Sequence, residues 1–391
     1  MEYQIIPLSK VGQIVSGATP KTTEPANFGG DIAWITPADL SGYAEKYISH
    51  GARNITQKGY DSCSTQLMPT GTVLFSSRAP IGYVAIARNP ICTNQGFKSV
   101  IPNSNIDSEF LYYQLIYLKK QIQDMGSGTT FREISAKTLG KVKVVVPPLD
   151  TQKRIVARIE ELFSELDNGV ETLRKTKQQL AVYRQSVLND AFAVCSERKS
   201  VGSVCTHVTD GDHMPPPKAA SGVPFVMISN IDGNRIDFSE TAFVGREYYE
   251  KIDSKRRPQI GDVLYTVTGS FGIPVLIDYG KEFCFQRHIA LLRPNDSILS
   301  EYLYYAMQAP IVYAQATKGA TGTAQKTVGL TVLRKILIPY TASKMEQARI
   351  VRDVESKMSV CDSIEKTIDT ALQQAEAMRQ SVLKKAFEGK L

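Results

Sequence analysis

The chain has 391 residues, with 46 Lys+Arg against 39 Asp+Glu, 42% apolar and 22% charged residues, a balance that excludes disorder as its dominant state. No stretch approaches the roughly 18 uninterrupted apolar residues of a membrane span, and Met1-Glu2-Tyr3-Gln4 lacks the basic-then-apolar order of a secretory leader, so a cytoplasmic protein is expected. Six cysteines (Cys63, Cys92, Cys195, Cys205, Cys284, Cys361) stand singly with no C-x-x-C, which indicates buried small side chains rather than disulfides or a zinc ribbon.

The net charge of +7 leans toward a polyanionic partner, but no part of the chain is a basic tail. Residues 1–150, 151–195, 196–340 and 341–391 carry 14, 7, 16 and 9 cations against 11, 6, 14 and 8 anions. A nucleic-acid surface would therefore have to be concentrated on one folded face.

In chain order, residues 1–150 alternate short β-type runs bounded by Gly and Pro, as over 71–77 and 83–87, with one helical stretch at 110–123. Pro147-Pro148 then blocks upstream continuation of a long helix over 151–192, whose first amides Asp150 or Thr151 can cap. Its apolar residues Ile159, Leu166, Leu173, Leu180 and Val187 fall seven apart, preceded by Ile155 and Leu162, the pattern of a coiled-coil seam. Residues 196–340 form a second globule with its helical stretch at 302–315, and 341–391 a second helix. That helix carries Val354, Cys361, Ile368, Ala375 and Val382, with Ile350, Ile364, Ala371 and Met378 interleaved.

The second half repeats the first. Gly71-Thr72-Val73-Leu74-Phe75 returns as Gly261-Asp262-Val263-Leu264-Tyr265, and Leu111-Tyr112-Tyr113 as Leu303-Tyr304-Tyr305. Arg184-Gln185-Ser186-Val187-Leu188 returns as Arg379-Gln380-Ser381-Val382-Leu383. The order is globule, helix, globule, helix. The second helix can bury its seam by running back along the first, so the expected fold is α+β: two similar α/β-mixed domains separated by a long antiparallel two-helix coiled coil, with an internal pseudo-twofold repeat. At 1.5 Å per residue, such a rod measures roughly 63 Å and would act as a ruler.

This layout resembles, end to end, the specificity subunit of type I restriction-modification systems. The resemblance is carried by Ser16-Gly17-Ala18-Thr19-Pro20 and Asp210-Gly211-Asp212-His213, by Ile32-Ala33-Trp34-Ile35 and Val223-Pro224-Phe225-Val226, and by the junction Val146-Pro147-Pro148-Leu149-Asp150-Thr151-Gln152. The second junction, Pro339-Tyr340-Thr341-Ala342-Ser343-Lys344-Met345-Glu346-Gln347, lacks the double proline and is three residues longer. The resemblance implies two target recognition domains, 1–150 and 196–340, each reading half of a bipartite double-stranded DNA site. It implies helical spacers, 151–195 and 341–391, that set the gap and dock two methyltransferase (modification) subunits, with restriction subunits completing the nuclease.

Catalysis, cofactor and metal are not expected. There is no G-x-x-x-x-G-K-[ST], and no strand-linked G-x-G or N-P-P-type segment. Glu355-Ser356-Lys357 has a nuclease-like spacing but lies on the heptad helix, where solvated charge is the default. His207, Asp210, Asp212 and His213 are dense, yet a Gly-Asp loop before the prolines that follow Met214 usually turns its carboxylates onto backbone amides.

Candidate DNA contacts fall in three segments per globule, with a fourth in the second. Ser76, Ser77 and Arg78 at one strand end, and Thr268 and Ser270 at the other, have small hydroxyls suited to phosphate oxygens. Asn94-Gln95-Gly96-Phe97-Lys98 aligns with Gln286-Arg287-His288-Ile289 at an offset of 192; amides suit adenine and arginine suits guanine, so two heads reading different sequences would differ here. The loops over 126–132 and 318–326 contribute Thr129, Thr130, Arg132, Lys318, Thr323 and Lys326, and the one dense cation run is Lys255, Arg256 and Arg257. Tyr112-Tyr113 and Tyr304-Tyr305 read as core. Two alternatives stand beside DNA reading: a coiled-coil scaffold with two protein-binding heads, and a nuclease acting alone, which the missing metal constellation disfavours.

Overall fold

A computed structural model describes residues 3–128, 132–211, 213, 216–323 and 325–391. It divides into two units, one of residues 1–173 with 370–391 and one of residues 174–369.

The first unit is built around a five-stranded sheet. With β1 (Gln4–Pro7), β2 (Gly12–Ser16), β3 (Trp34–Ile35), β4 (Tyr47–Ile48), β5 (Val73–Ser77), β6 (Ile81–Ala87), β7 (Cys92–Thr93) and β8 (Lys98–Pro102), its order is β2-β8-β5-β6-β4. All of β5 is buried, which explains its unbroken Val-Leu-Phe-Ser-Ser run in place of apolar/polar alternation. Helix α1 (Ser108–Tyr117) packs on this sheet and is started by Asp107, whose carboxylate accepts the Glu109 and Phe110 amides at 3.0 Å. Strand β9 (Lys143–Val146) pairs antiparallel with β1, and β3 pairs in parallel with β7. The chain then enters α2 (Leu149–Ala193), a continuous helix of 45 residues. Asp150 and Thr151 lie inside its first turn rather than at its cap.

The second unit repeats the plan with the strands β10 (Glu197–Ser200), β11 (Cys205–Asp210), β12 (Lys218–Ala219), β13 (Val223–Val226), β14 (Ala242–Val244), β15 (Val263–Thr266), β16 (Pro274–Leu276), β17 (Cys284–Phe285) and β18 (Ile289–Pro294). The sheet order β11-β18-β15-β16 matches β2-β8-β5-β6 strand for strand, and Val73↔Val100 recurs as Val263↔Leu292. Helix α3 (Ser300–Gln308) takes the place of α1, and β19 (Leu337–Tyr340) pairs with β10 as β9 does with β1. The parallel pair β13-β17 matches β3-β7, but here β12 and β14 extend it into a four-stranded sheet. Helix α4 (Lys344–Phe387, 44 residues) follows.

Each unit takes the start of one long helix and the end of the other into its core. In the first unit Ile155 and Ile159 of α2 join Leu383 and Phe387 of α4, and Phe387 meets Phe110 edge-on at 5.3 Å. In the second, Ile350 and Val354 of α4 join Leu188 and Phe192 of α2, and Phe192 meets Tyr302 at 5.4 Å. Within both units the helices run antiparallel: Arg379 lies 4.8 Å above the Phe163 ring and pairs with Asp167, while Lys177 bonds Asp369 at 2.7 Å and Arg184 bonds Asp362 at 2.7 Å.

The expected seam needs correction at two interleaved positions, of which Met378 is 54% exposed. Ile159, Val187, Val354 and Ile368 are buried, and Leu166, Leu173, Leu180 and Val382 are half-buried, but Ile364 is 41% exposed. Two helices share only a narrow stripe, and Cys361, Ile368 and Ala375 fill it at intervals of seven, leaving Ile364 on its open flank.

Both helices start on the same device. Buried Gln152 donates through Nε2 to Asn105 O (2.9 Å) and Pro147 O (2.7 Å) and accepts the Asp107 amide (2.8 Å). Buried Gln347 donates to Ser297 O (3.0 Å) and Thr341 O (2.8 Å) and accepts the Leu299 amide (2.8 Å). The longer second junction therefore ends in the same attachment as the first.

Candidate nucleic-acid interface

Three separated segments converge in each unit. In the first, the Ser77 amide donates to Gly96 O (2.7 Å) and the Ile134 amide to Ser77 O (3.0 Å), so the end of β5, the 94–98 loop and the 126–133 loop lie side by side. Arg78 and Ser127 both bridge to Glu133. In the second, the Val267 amide donates to His288 O (2.9 Å), the Val328 amide to Val267 O (2.8 Å) and the Gly269 amide to Lys326 O (3.0 Å). The 267–270, 286–288 and 318–328 segments meet there in the same way.

Side-chain placement divides the sequence candidates. Ser76 and Ser77 are buried, which corrects the expectation that they face phosphate. Ser76 Oγ donates to Pro80 O and accepts the Tyr83 amide, both at 2.7 Å, closing the turn after β5. Thr266 makes the same staple with Ser270 O (2.8 Å) and the Ile273 amide (2.9 Å). Thr268 is likewise buried, its hydroxyl 3.3 Å from that of Thr327, whereas Ser270 is exposed. Asn94 is a turn residue whose Oδ1 accepts the Gly96 amide at 2.8 Å. Lys98 is buried, donating to Gln95 O (3.3 Å) and lying 3.6 Å from Glu133, whose carboxylate also sits 3.7 Å from Arg78. Glu133 thus neutralises part of the cationic cluster.

The dense cation run is mostly internal as well. Arg256 donates through Nε to Asp210 O (2.8 Å) and through Nη2 to Gly211 O, and Arg257 donates to Ile252 O (2.9 Å) and Glu250 O. Both guanidiniums brace loops, and of the three Lys255 is the exposed one. Gln95, Arg132, Arg287, Lys318, Thr323 and Lys326 are exposed, Gln286 and His288 half-buried. Burial, and then the Arg287 charge, hold the His288 imidazole below its ordinary pKa, so it is neutral at pH 7 and can both donate and accept. Thr129, Thr130, Asp212, Met214 and Pro215 lie outside the described residues. His213 Nε2 is 2.9 Å from Asp210 Oδ2, and His207 Nδ1 is 3.1 Å from Thr206 Oγ1.

Two residues of the opening motifs have a role that sequence reasoning missed. A methyl group on Gly17 would overlap Thr93 O and Asn94 O, and one on Gly211 would overlap Phe285 O and the Gln286 main chain. Each glycine lets the end of a strand lie directly against the loop holding Gln95 or Arg287. The signal was present in the repeat, since both glycines occupy the same place in it. Thr19 was also missed; its hydroxyl donates to Gln95 Oε1 and orients that amide. Among the described residues no helix is long and apolar enough to cross a membrane.

Comparison with known proteins follows the same two halves. The model of the type I restriction modification DNA specificity domain matches residues 1–180 and 199–374. The MjaIX specificity subunit of Methanocaldococcus jannaschii is 40% identical over 181 residues, 46% of this chain and 41% of that one. The EcoKI specificity subunit of Escherichia coli is 24% identical across 100% of this chain and 89% of its own length. Two solved structures share the fold. A chain from a study of complex assembly and conformational transition in a type I R-M system aligns with TM-score 0.78 at 17% identity, covering 100% of this chain and 98% of that one. The HsdS subunit from Thermoanaerobacter tengcongensis aligns with TM-score 0.57 at 18% identity, covering 100% and 97%.

Proposed function

Because the chain belongs to the type I restriction modification DNA specificity family, a family of recognition subunits rather than catalysts, we propose that its two domains each read half of a bipartite duplex site. Residues 1–150 and 196–340 serve as target recognition domains. The observation that carries this reading is the pair of matched convergences, identical in main-chain layout and different in the exposed side chain at the equivalent position, Gln95 in one and Arg287 in the other. An amide suits adenine and a guanidinium suits guanine, so one scaffold presents two base preferences. The exposed Arg132, Lys318, Thr323, Lys326 and Lys255 suit phosphate contacts, independent of sequence.

The helical segments 151–195 and 341–391 act as the spacer gauge. A continuous 45-residue helix is about 67 Å long, and it carries the chain from one reading domain to the other. Val182, Tyr183, Val360 and Met378 on the helices stay exposed, and such apolar positions suit two methyltransferase subunits docking along them in the cytoplasm, with restriction subunits joining the assembly.

Methylation mapping in cells that express the chain with its methyltransferase tests the reading. Gln95→Ala is expected to relax one half-site and Arg287→Ala the other, each by about 1–3 kcal/mol of discrimination, with binding of the matched duplex falling steeply as salt rises. Equal losses on all sequences would reduce both residues to backbone contacts; no DNA binding at all would favour the protein-scaffold alternative.

A further inference from the structure

Beside the loop that carries Arg287, the second domain contains a concavity that groove reading by that side chain does not fill. Between the 286–288 loop and the sheet of β12, β13, β14 and β17 lies a pocket of about 370 Å³. Phe225, Met227, Phe243 and Val244 supply its apolar walls, and Lys218, Gln286, Arg287 and His288 reach it with polar groups. Val244 and Phe225 are buried, so the floor belongs to the fold and persists without a ligand. No hydrogen bond from the Lys218, Gln286, Arg287 or His288 side chain to another described residue is formed in the structure. The equivalent loop of the first domain has different surroundings: Pro37 Cγ lies 2.7 Å from where a Cβ on Gly96 would stand, and Thr19 engages Gln95.

Shape and chemistry restrict the occupant. Base edges of an intact duplex lie at the bottom of a groove and are reached by convex elements, whereas a concave pocket receives only what projects from the helix. Two parts of DNA can project, a phosphate or a base turned out of the stack. Aromatic and aliphatic walls disfavour the phosphate and suit the flat face of a base, while an amide and a neutral imidazole match the donors and acceptors along its edge.

We propose that this pocket holds one base of the second half-site, unstacked from the bound duplex and packed against Phe225, Met227 and Phe243. The proposal rests on the reading that the second domain binds duplex DNA. In the first domain no base leaves the stack at the equivalent loop.

The test uses the full-length chain without methyltransferase, so that no other subunit turns a base, and duplexes carrying the site found by methylation mapping. A mismatch removes the cost of unpairing, so at one position of the second half-site it is expected to tighten binding about tenfold or more. Mismatches in the first half-site should give no such gain. Ala242→Trp, at a half-exposed wall position, fills the pocket and should abolish the gain, as should Phe243→Ala, which removes a wall; thermal unfolding near the wild-type midpoint certifies that each variant is folded. A gain that is absent, equal in both half-sites, or retained in folded Ala242→Trp overturns the proposal. If the wild-type chain discriminates its site from a scrambled duplex while no mismatch matters, only the pocket assignment fails. If it does not discriminate at all, the DNA-reading function fails with it.

Discussion

Gly17 and Gly211 fix how closely each strand end approaches the loop holding Gln95 or Arg287, and their equivalence makes them a sensitive place to perturb one domain at a time. Gly211→Ala would drive a methyl group into Phe285 O and the Gln286 main chain, so the loop must shift. The variant is expected to lose about 1–3 kcal/mol of stability in urea titration, as overpacked sites do, and, if Arg287 reads a base as proposed, to relax that half-site while leaving the other unchanged in a methylation map. Unaltered specificity with the stability loss present would separate the loop from readout. At this scale the sequence was only partly legible. Ser76 and Thr266 look like polar strand ends, and only the fold reveals that each hydroxyl is consumed by a turn four to seven residues downstream. Arg256 is similarly drawn inward by the Asp210 and Gly211 carbonyls, from a segment that a linear reading cannot place beside it, while Arg257 folds back onto the Ile252 and Glu250 carbonyls of its own loop.

The long helices separate two kinds of contact that a sequence lists alike. Arg184 bonds Asp362 and Glu365 on a solvated face, and such pairs are worth at most about 1 kcal/mol, so Arg184→Ala should barely shift the unfolding midpoint. Ile368 is buried in the seam, and Ile368→Asp strands a carboxylate there at a cost of several kcal/mol. Chemical denaturation of the two variants checks the ranking; a larger loss for Arg184→Ala would mean that the ion pairs hold the helices. Both helices, their heptads and the start of the first after Pro147-Pro148 were legible because periodicity and proline are local signals, whereas the start of the second at Lys344 has no such proline pair to mark it. The orientation of Ile364 was not, because a heptad count gives a stripe's spacing without its width.

At the scale of the molecule, repetition was the most informative signal, since blocks recurring in order imply two copies of one topology and the sheet orders agree with it. The β12–β14 extension escaped notice because it belongs to one copy alone. If the helices gauge the spacer, adding four residues near Gln178-Gln179 and four near Gln373-Gln374 lengthens the rod by about 6 Å while nearly keeping the helical phase. At about 3.4 Å per base pair, the preferred gap should grow by at most about two base pairs, with both half-sites unchanged. Methylation mapping reads this directly, and altered half-sites at the original gap would sink the gauge.

The attachment of each helix carries a wider consequence. Every hydrogen bond of Gln152 and Gln347 described here goes to a main-chain oxygen or amide. Main chain is chemically the same whatever side chains surround it, so this coupling is blind to what its domain reads. A recognition surface can be rewritten residue by residue, or an entire domain exchanged with a relative's, and the socket still accepts it provided the loop keeps its path. If the helices dock the methyltransferase as proposed, new specificities arise by changing cartridges in an unaltered frame, and what docks on the frame never needs to adapt.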